Sequence, residues 1–256
     1  MFMKKIFFAV LLLLLLSTDV FAYTYDKFLN QAVEYLLKED YDFAVQECNK
    51  FIDTANPHVK AEALHLKGTC LLESGQYAQA REIFKEARPF AKGDLRTEIF
   101  LGIADTYFMQ KRYADAISIY EQLLNKDIKK NDYLAVIYYK IGKSYQRDSK
   151  WTKSDQYFRQ LEEQFPQSLE AELVKNSSVE GNYFTVQVGC FANKQNADKL
   201  YDDLKDKGYE AFLSSFESLG QKFYRVRVGK FVSYVAAEYT ENELRNKESL
   251  PTHIFP

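Results

Sequence analysis

Two short segments hold the side chains best placed to do chemistry. One is Thr185-Val186-Gln187-Val188-Gly189-Cys190-Phe191. The other is Phe223-Tyr224-Arg225-Val226-Arg227-Val228-Gly229-Lys230-Phe231. Both alternate apolar with polar residues, the mark of a strand with one covered face. The alternation sets Val186, Val188, Val226 and Val228 on one side and Thr185, Gln187, Phe223, Arg225 and Arg227 on the other. A guanidinium can grip a carboxylate through two parallel hydrogen bonds, which an ammonium cannot. An amide can both donate and accept hydrogen bonds, and a phenyl ring offers a flat apolar surface. Each exposed charge pair contributes only about 0 to 1 kcal/mol. Such a face would therefore hold its ligand through several contacts along an extended molecule.

Competing chemistry is sparse. The histidines are His58, His65 and His253. The first two can share a helix face, but no Glu-x-x-His or similar set accompanies them. No nucleophile motif with a base partner stands out. The reading is of a non-enzyme with no catalytic residues, no metal and no cofactor. The net charge is -2, and residues 183–256 hold ten Lys plus Arg against ten Asp plus Glu. That balance gives no electrostatic footprint for nucleic acid.

The two segments belong to a duplication with an offset of 40. Val186 to Phe191 falls on Val226 to Phe231, Asn193 on Ser233, Ala197 on Ala237 and Leu204 on Leu244. Each copy reads as a strand, a Gly allowing a tight exit, an N-cap at Asn193 or Ser233, and an amphipathic helix. A second strand follows each helix, at Tyr209 to Leu213 or slightly beyond and at about Thr252 to Phe255. The order βαββαβ makes a four-stranded antiparallel sheet with both helices on one face, a ferredoxin-like or RNP-like arrangement. The two Val-x-Val-Gly-x-Phe strands should be central and adjacent, with the valines toward the helices and the other face bare.

Tyr183-x-x-Val-Gln-Val-Gly-x-Phe, Asn196-Ala197, Lys207-Gly208-Tyr209 and Tyr224-Arg-Val-Arg-Val-Gly-x-Phe231 together resemble a SPOR domain over the whole of 183–256. The resemblance implies binding to peptidoglycan, specifically to septal glycan strands stripped of their stem peptides, on the bare sheet face. The family's strand-one Gln falls on Gln187 and its aromatic entering the third strand on Phe223. The family's Ser three residues after the Gln is here Cys190. Its aromatic on the last strand has no clear counterpart near Thr252. Amidases that remove stem peptides leave a lactyl carboxylate on each muramic acid, which Arg225 and Arg227 suit. The expected glycan-binding set is Thr185, Gln187, Cys190, Phe223, Arg225 and Arg227.

Upstream, four copies of another pattern run from 23 to 175. Small residues pair twelve positions apart: Ala32/Ala44, Gly68/Ala80, Ala104/Ala116 and Gly142/Ser154. The step between copies is 36, 36, then 38. Spacing that is fixed within a pair and loose between pairs fits antiparallel helices that cross closely where both are small, joined by loops that can lengthen. Ala80-x3-Phe84, Ala116-x3-Tyr120, Ser154-x3-Phe158 and the late Pro166 resemble tetratricopeptide repeats. Such repeats imply a protein partner without identifying it. A short capping helix is expected over Ser168 to Lys175. The charged run Asn125 to Asp132 reads as a solvated loop.

Lys4-Lys5, the apolar run Ile6 to Leu16 and Val20-Phe21-Ala22 read as a secretory signal over 1–22. Eleven apolar residues would span about 16 Å as a helix, short of a bilayer core of about 30 Å. No membrane span is expected after cleavage. Residues 176–182 are polar and aperiodic, a hinge. Cys48, Cys70 and Cys190 all read as buried thiols. The sequence thus describes an exported adaptor, periplasmic or cell-envelope associated and with the septum as its expected address, that holds peptidoglycan at one end and a protein at the other. Its rival is an envelope scaffold whose sheet domain no longer binds glycan.

Overall fold

The computed structural model describes residues 29–54, 56–125, 131–177, 182–218 and 220–255. The expected signal segment 1–22, most of the charged run before Asp132 and the centre of the expected hinge lie outside them. The chain divides into two compact units, one up to Ile141 and the other from Gly142 to Pro256. Among the described residues, no helix is long and apolar enough to cross a membrane.

The first unit is built from helix pairs: α1 (Asn30–Leu37) with α2 (Tyr41–Ile52), α3 (Pro57–Glu73) with α4 (Tyr77–Ala87), and α5 (Gly93–Met109) with α6 (Tyr113–Leu124). The small residues that define the sequence repeat are buried in every pair, Ala32, Ala44, Ala80, Ala104 and Ala116 at 0–1% exposure. At Gly68 and Gly102 a Cβ would come within 2.6 Å of the Phe84 ring, so one aromatic fills the space that both glycines leave. Close crossing is therefore enforced by sterics, with Leu64, Phe84, Ile99 and Ile103 among the core it creates.

The turns inside the pairs repeat as strictly as the crossings. Glu39, Gly75, Lys111 and Ser149 all take positive φ, at 62°, 80°, 62° and 58°. The next amide in each turn bonds back to the last turn of the helix: Asp40 to Tyr35, Gln76 to Leu71, Arg112 to Tyr107 and Lys150 to Tyr145, at 2.8–2.9 Å. This satisfies carbonyls that a helix end leaves open. Only one copy uses Gly there, and the other three accept the left-handed backbone because the turn is held from both sides.

The second unit opens with the end of α7 (Asn131–Arg147), then α8 (Trp151–Gln164) and α9 (Leu169–Ser177). Phe158 lies against Gly142, and Ser154 is fully buried at the crossing. The Ser168 hydroxyl caps α9 by accepting from the Ala171 amide. The sheet domain follows as β1 (Phe184–Phe191), α10 (Lys194–Asp206), β2 (Ala211–Ser218), β3 (Gln221–Phe231), α11 (Tyr234–Glu248) and β4 (His253–Phe255). The strand order is β2-β3-β1-β4, all antiparallel, so the duplicated strands are central and adjacent as expected. The Asn193 and Ser233 side chains cap α10 and α11.

Two expectations need correction. The second strand starts at Ala211 and runs to Ser218, longer than the apolar signal, because its far half pairs with β3 up to Gln221 in a long hairpin. Gly189 and Gly229 lie within β1 and β3, not at tight exits. A Cβ at either would collide with the ring of the Phe two residues on, Phe191 or Phe231, which folds back over the strand. The valines, Phe184, Ala197, Leu204, Ala237, Leu244 and Ile254 form the core between sheet and helices. Trp151 joins that core from α8, its ring 4.8 Å from Phe184, which in turn meets Tyr234 edge-on at 5.6 Å. Arg147, at the end of α7, stacks its guanidinium 3.9 Å from the Tyr234 ring centre.

Candidate functional site

The face of the sheet turned away from α10 and α11 gathers all six expected residues, and a β-bulge decides how. Gln187 pairs with Arg227 and Cys190 with Arg225, although Gln187 and Cys190 are three residues apart. Strict alternation would put them on opposite faces. The register shift between Gln187 and Gly189 absorbs one residue and returns Cys190 to the face of Gln187. Thr185 sits at the start of the same strand, opposite Phe255, and its hydroxyl donates to the Val228 carbonyl at 3.4 Å. Phe223 lies farther up β3, stacked on Phe216 of β2 with ring centres 5.4 Å apart.

This face is not bare, as the alternation suggested. Thr185 is 0%, Gln187 6% and Arg227 4% exposed. Large neighbours on the same face account for it. Arg225 stacks 3.7 Å from the Phe216 ring centre, and Arg225 and Arg227 both approach Phe255, at 5.9 and 5.6 Å. Long side chains lying along a sheet cover one another's stems while their heads stay close together.

The electrostatics are one-sided. Neither Arg225 nor Arg227 has a carboxylate partner among the described residues. Burial, and then the neighbouring Arg225 charge, pull Arg227 down to about 10, still fully charged at neutral pH. Burial lowers Arg225 as well, with Cys190 working the other way. The Arg227 Nε and the Gln187 Oε1 are buried without hydrogen-bond partners, and so is the hydroxyl oxygen of Ser214, opposite Arg225 on β2. A buried donor on a cation and a buried amide acceptor left open side by side form an incomplete network, costly unless something completes it.

Cys190 departs from expectation by being exposed rather than buried. The bulge that brings it to this face also carries it out of the core. Desolvation raises its thiol, while the Arg225 charge, a hydrogen bond from Arg225 and the Arg227 charge work against that rise. Cys48 and Cys70 are buried free thiols, with burial pushing Cys48 up to about 12.

Three aromatics escaped the sequence reading. Phe255 supplies the last-strand ring that had no evident counterpart near Thr252, three residues further on and opposite Thr185. Phe216 and Phe212 share the face from β2, opposite Phe223 and Arg227. Their signal was present as alternation in Phe212-Leu213-Ser214-Ser215-Phe216, obscured by the paired serines. His253 pairs with Gln187 on β4, and burial lowers it to about 4, with the Arg147 and Lys143 charges adding to the effect. Among the described residues, no cluster of His, Cys, Asp and Glu could hold a metal.

Comparison with known proteins agrees with the geometry. The model of the SPOR domain matches residues 180–253, and two tetratricopeptide-repeat models match 71–137 and 137–168. The chain thus carries a SPOR domain preceded by tetratricopeptide repeats. Among solved structures, the RlpA SPOR domain of Pseudomonas aeruginosa is 27% identical, covering 28% of this chain and 97% of that one, with a TM-score of 0.26. A structure from the characterisation of Pseudomonas aeruginosa pilF is 19% identical over 58% of this chain and 64% of that one, TM-score 0.43. A Podosopora anserina putative kinesin light chain with nearly identical TPR-like repeats is 12% identical over 70% and 85%, TM-score 0.44. A search of curated proteins finds no match.

Proposed function

We propose that this chain, a SPOR domain behind tetratricopeptide repeats, is a non-catalytic adaptor of the cell envelope. Residues 183–256 hold glycan strands stripped of their stem peptides, and residues 23–175 hold a protein partner. The signal segment 1–22 would direct export, and the ligand would place the protein at the division septum. Both kinds of domain are binding modules, one of a peptidoglycan-binding family and one of protein interaction. No membrane span is needed, because the wall itself is the anchor.

One observation carries the glycan reading. Arg225 and Arg227 stand side by side without a carboxylate partner among the described residues, and Arg227 Nε and Gln187 Oε1 are buried and open. A lactyl carboxylate supplies the missing charge, and a neighbouring acetamide N–H can donate to the Gln187 oxygen. Phe216, Phe223 and Phe255 offer ring faces for the sugars on either side. Cys190 replaces the family's hydroxyl with a weaker acceptor and donor, so it contributes less than a Ser would.

The test is co-sedimentation of the full chain with isolated sacculi, before and after amidase digestion, for the native protein, Gln187→Ala and Arg227→Ala, each checked for folding by circular dichroism. Binding should rise after amidase and fall in both variants. A native protein that stays in the supernatant throughout would refute the glycan reading and leave the repeats as the sole binding element.

A further inference from the structure

The cations on the sheet face do not stop at the arginine pair. Lys230 follows on β3 beyond Gly229, whose φ of 71° turns the strand. Its ammonium lies 5.1 Å from the ring centre of Tyr183 and 5.6 Å from that of Phe212. Phe212 sits opposite Arg227 on β2. Lys230 is exposed and has no ion pair among the described residues. A hollow of about 290 Å³ lies beside it at the edge of the sheet, lined by Phe212, Gly229, Ala211 and Glu210 and, from α10, by Lys205. So one element of the first site recurs: a cation flanked by two aromatic rings, here with the Glu210 carboxylate in the lining of the adjoining hollow and no ion pair to it.

Spacing relates the two. A strand rises about 3.3 Å per residue, so Arg227 and Lys230 stand at most about 10 Å apart along β3. Arg225 and Arg227 are about 7 Å apart and face the same gap. One repeat of a β-1,4-linked disaccharide fits within the span from the arginine pair to Lys230. In a stripped glycan, one free carboxylate recurs with each such repeat.

We propose that Lys230, with Tyr183 and Phe212 as its platform, is a second carboxylate subsite, so that the sheet face reads two successive muramic acids of one strand. This rests on the glycan reading above and deepens it. The arginine pair and Gln187 take the first muramic acid, desolvated and tightly defined. Lys230 takes the next, at the solvent edge, and discriminates by chain length. A point charge suits that position, since an exposed ammonium tolerates the varied rotation between successive sugars better than a planar fork does. Stem peptides on the second muramic acid would remove its carboxylate and crowd the Tyr183–Phe212 cleft, so two stripped sugars in succession would be recognised where one is not.

The experiment uses the full chain and two soluble glycans with free lactyl carboxylates, a disaccharide with one and a tetrasaccharide with two. Affinities are measured by calorimetric titration at one fixed low ionic strength, with the disaccharide also run as a competitor. The native protein should bind the tetrasaccharide about tenfold or more tightly than the disaccharide. Lys230→Gln should weaken the tetrasaccharide about three- to fivefold, the size expected of an exposed charge pair, and leave the disaccharide unchanged. Gln187→Ala should weaken both. If Lys230→Gln changes both ligands equally, or neither, there is no second subsite, while loss of both in Gln187→Ala would still uphold the first. If the native protein binds neither glycan, both readings fall together.

Discussion

Arg227→Met should make the second unit more stable and unable to hold its ligand. Arg227 is 4% exposed, and burial with the Arg225 charge beside it takes its guanidinium from the ordinary 12.5 to about 10. At 1.36 kcal/mol per pH unit, that is a penalty of about 3 kcal/mol on the charged form. A base whose folded value is depressed is charged in both folded and unfolded chain at pH 7. The penalty is therefore fully present at neutral pH and fades only above about 10. Met keeps most of the apolar stem and gives up the approach to Phe255, worth about 0.5 to 2 kcal/mol. The balance is a gain of about 1 to 2 kcal/mol, within the range seen when buried ions give way to apolar residues. For a unit of this size it should raise the midpoint by roughly 4 to 8 °C. The assay is built into the sequence. Trp151 is the only tryptophan and packs against Phe184, so its fluorescence in the full chain reports unfolding of the second unit. A lower midpoint, or retained binding to amidase-treated sacculi, would mean that Arg227 is an ordinary structural residue and that the open network is not held for a ligand.

Other consequences follow from packing and titration. Trp151→Ala removes a ring from the core around Phe184 and should cost the second unit about 3 kcal/mol, read by chemical denaturation monitored in the far ultraviolet; an unchanged midpoint would show that α8 does not support the sheet. One thiol of three, Cys190, should react with a disulfide reagent in the native protein, and saturating stripped glycan should slow it; rapid reaction of Cys48 or Cys70 would contradict their burial. Burial lowers His65 to about 4, although the Glu98 carboxylate stands 3.9 Å away. That carboxylate accepts from the Tyr133 hydroxyl, and the length of the His65 contact leaves burial in control. The unfolded chain then takes up the proton first, so His65 withdraws up to about 3 kcal/mol from the first unit as pH falls from about 6.5 to 4. His65→Gln should flatten that acid limb in denaturant titrations at several pH values, and an unaltered limb would assign it to carboxylates instead.

How much of this was legible in the sequence depends on what kind of constraint each residue obeys. The helix pairs were readable because two small residues twelve apart are a steric requirement, visible in Gly68/Ala80 and met in space by Phe84. The turns were not, since only Gly75 among the four positive-φ residues announces itself, while Glu39, Lys111 and Ser149 borrow the conformation from the helices they join. The sheet order followed from the duplication. The buried state of the site did not, because alternation tells which face a side chain takes and not what lies beside it there. Phe216 and Phe255 come from strands whose own signals are weak, eight residues broken by Ser214-Ser215 and a strand of three.

The duplication also bears on where the candidate site lies. Gln187 and Arg227 are equivalent positions, 40 apart, and in the folded domain they face each other across β1 and β3. Antiparallel pairing of two copies of one segment brings an equivalent pair together at the local twofold axis when the register is centred on a residue, as it is here. Identical side chains there would be a poor choice for ligand recognition. Two buried guanidiniums would double the desolvation and repel, and two amides would carry no charge for a carboxylate. One amide and one guanidinium are the asymmetric solution, and they could satisfy each other with a single N–H to oxygen bond. They do not: Gln187 Oε1 and Arg227 Nε both remain open. A fold that merely tolerated this pair would be expected to close that bond. Leaving it open at the axis, between Phe255 and the Phe216–Phe223 stack, makes sense when a third group, carrying both an acceptor charge and a donor, comes in from outside.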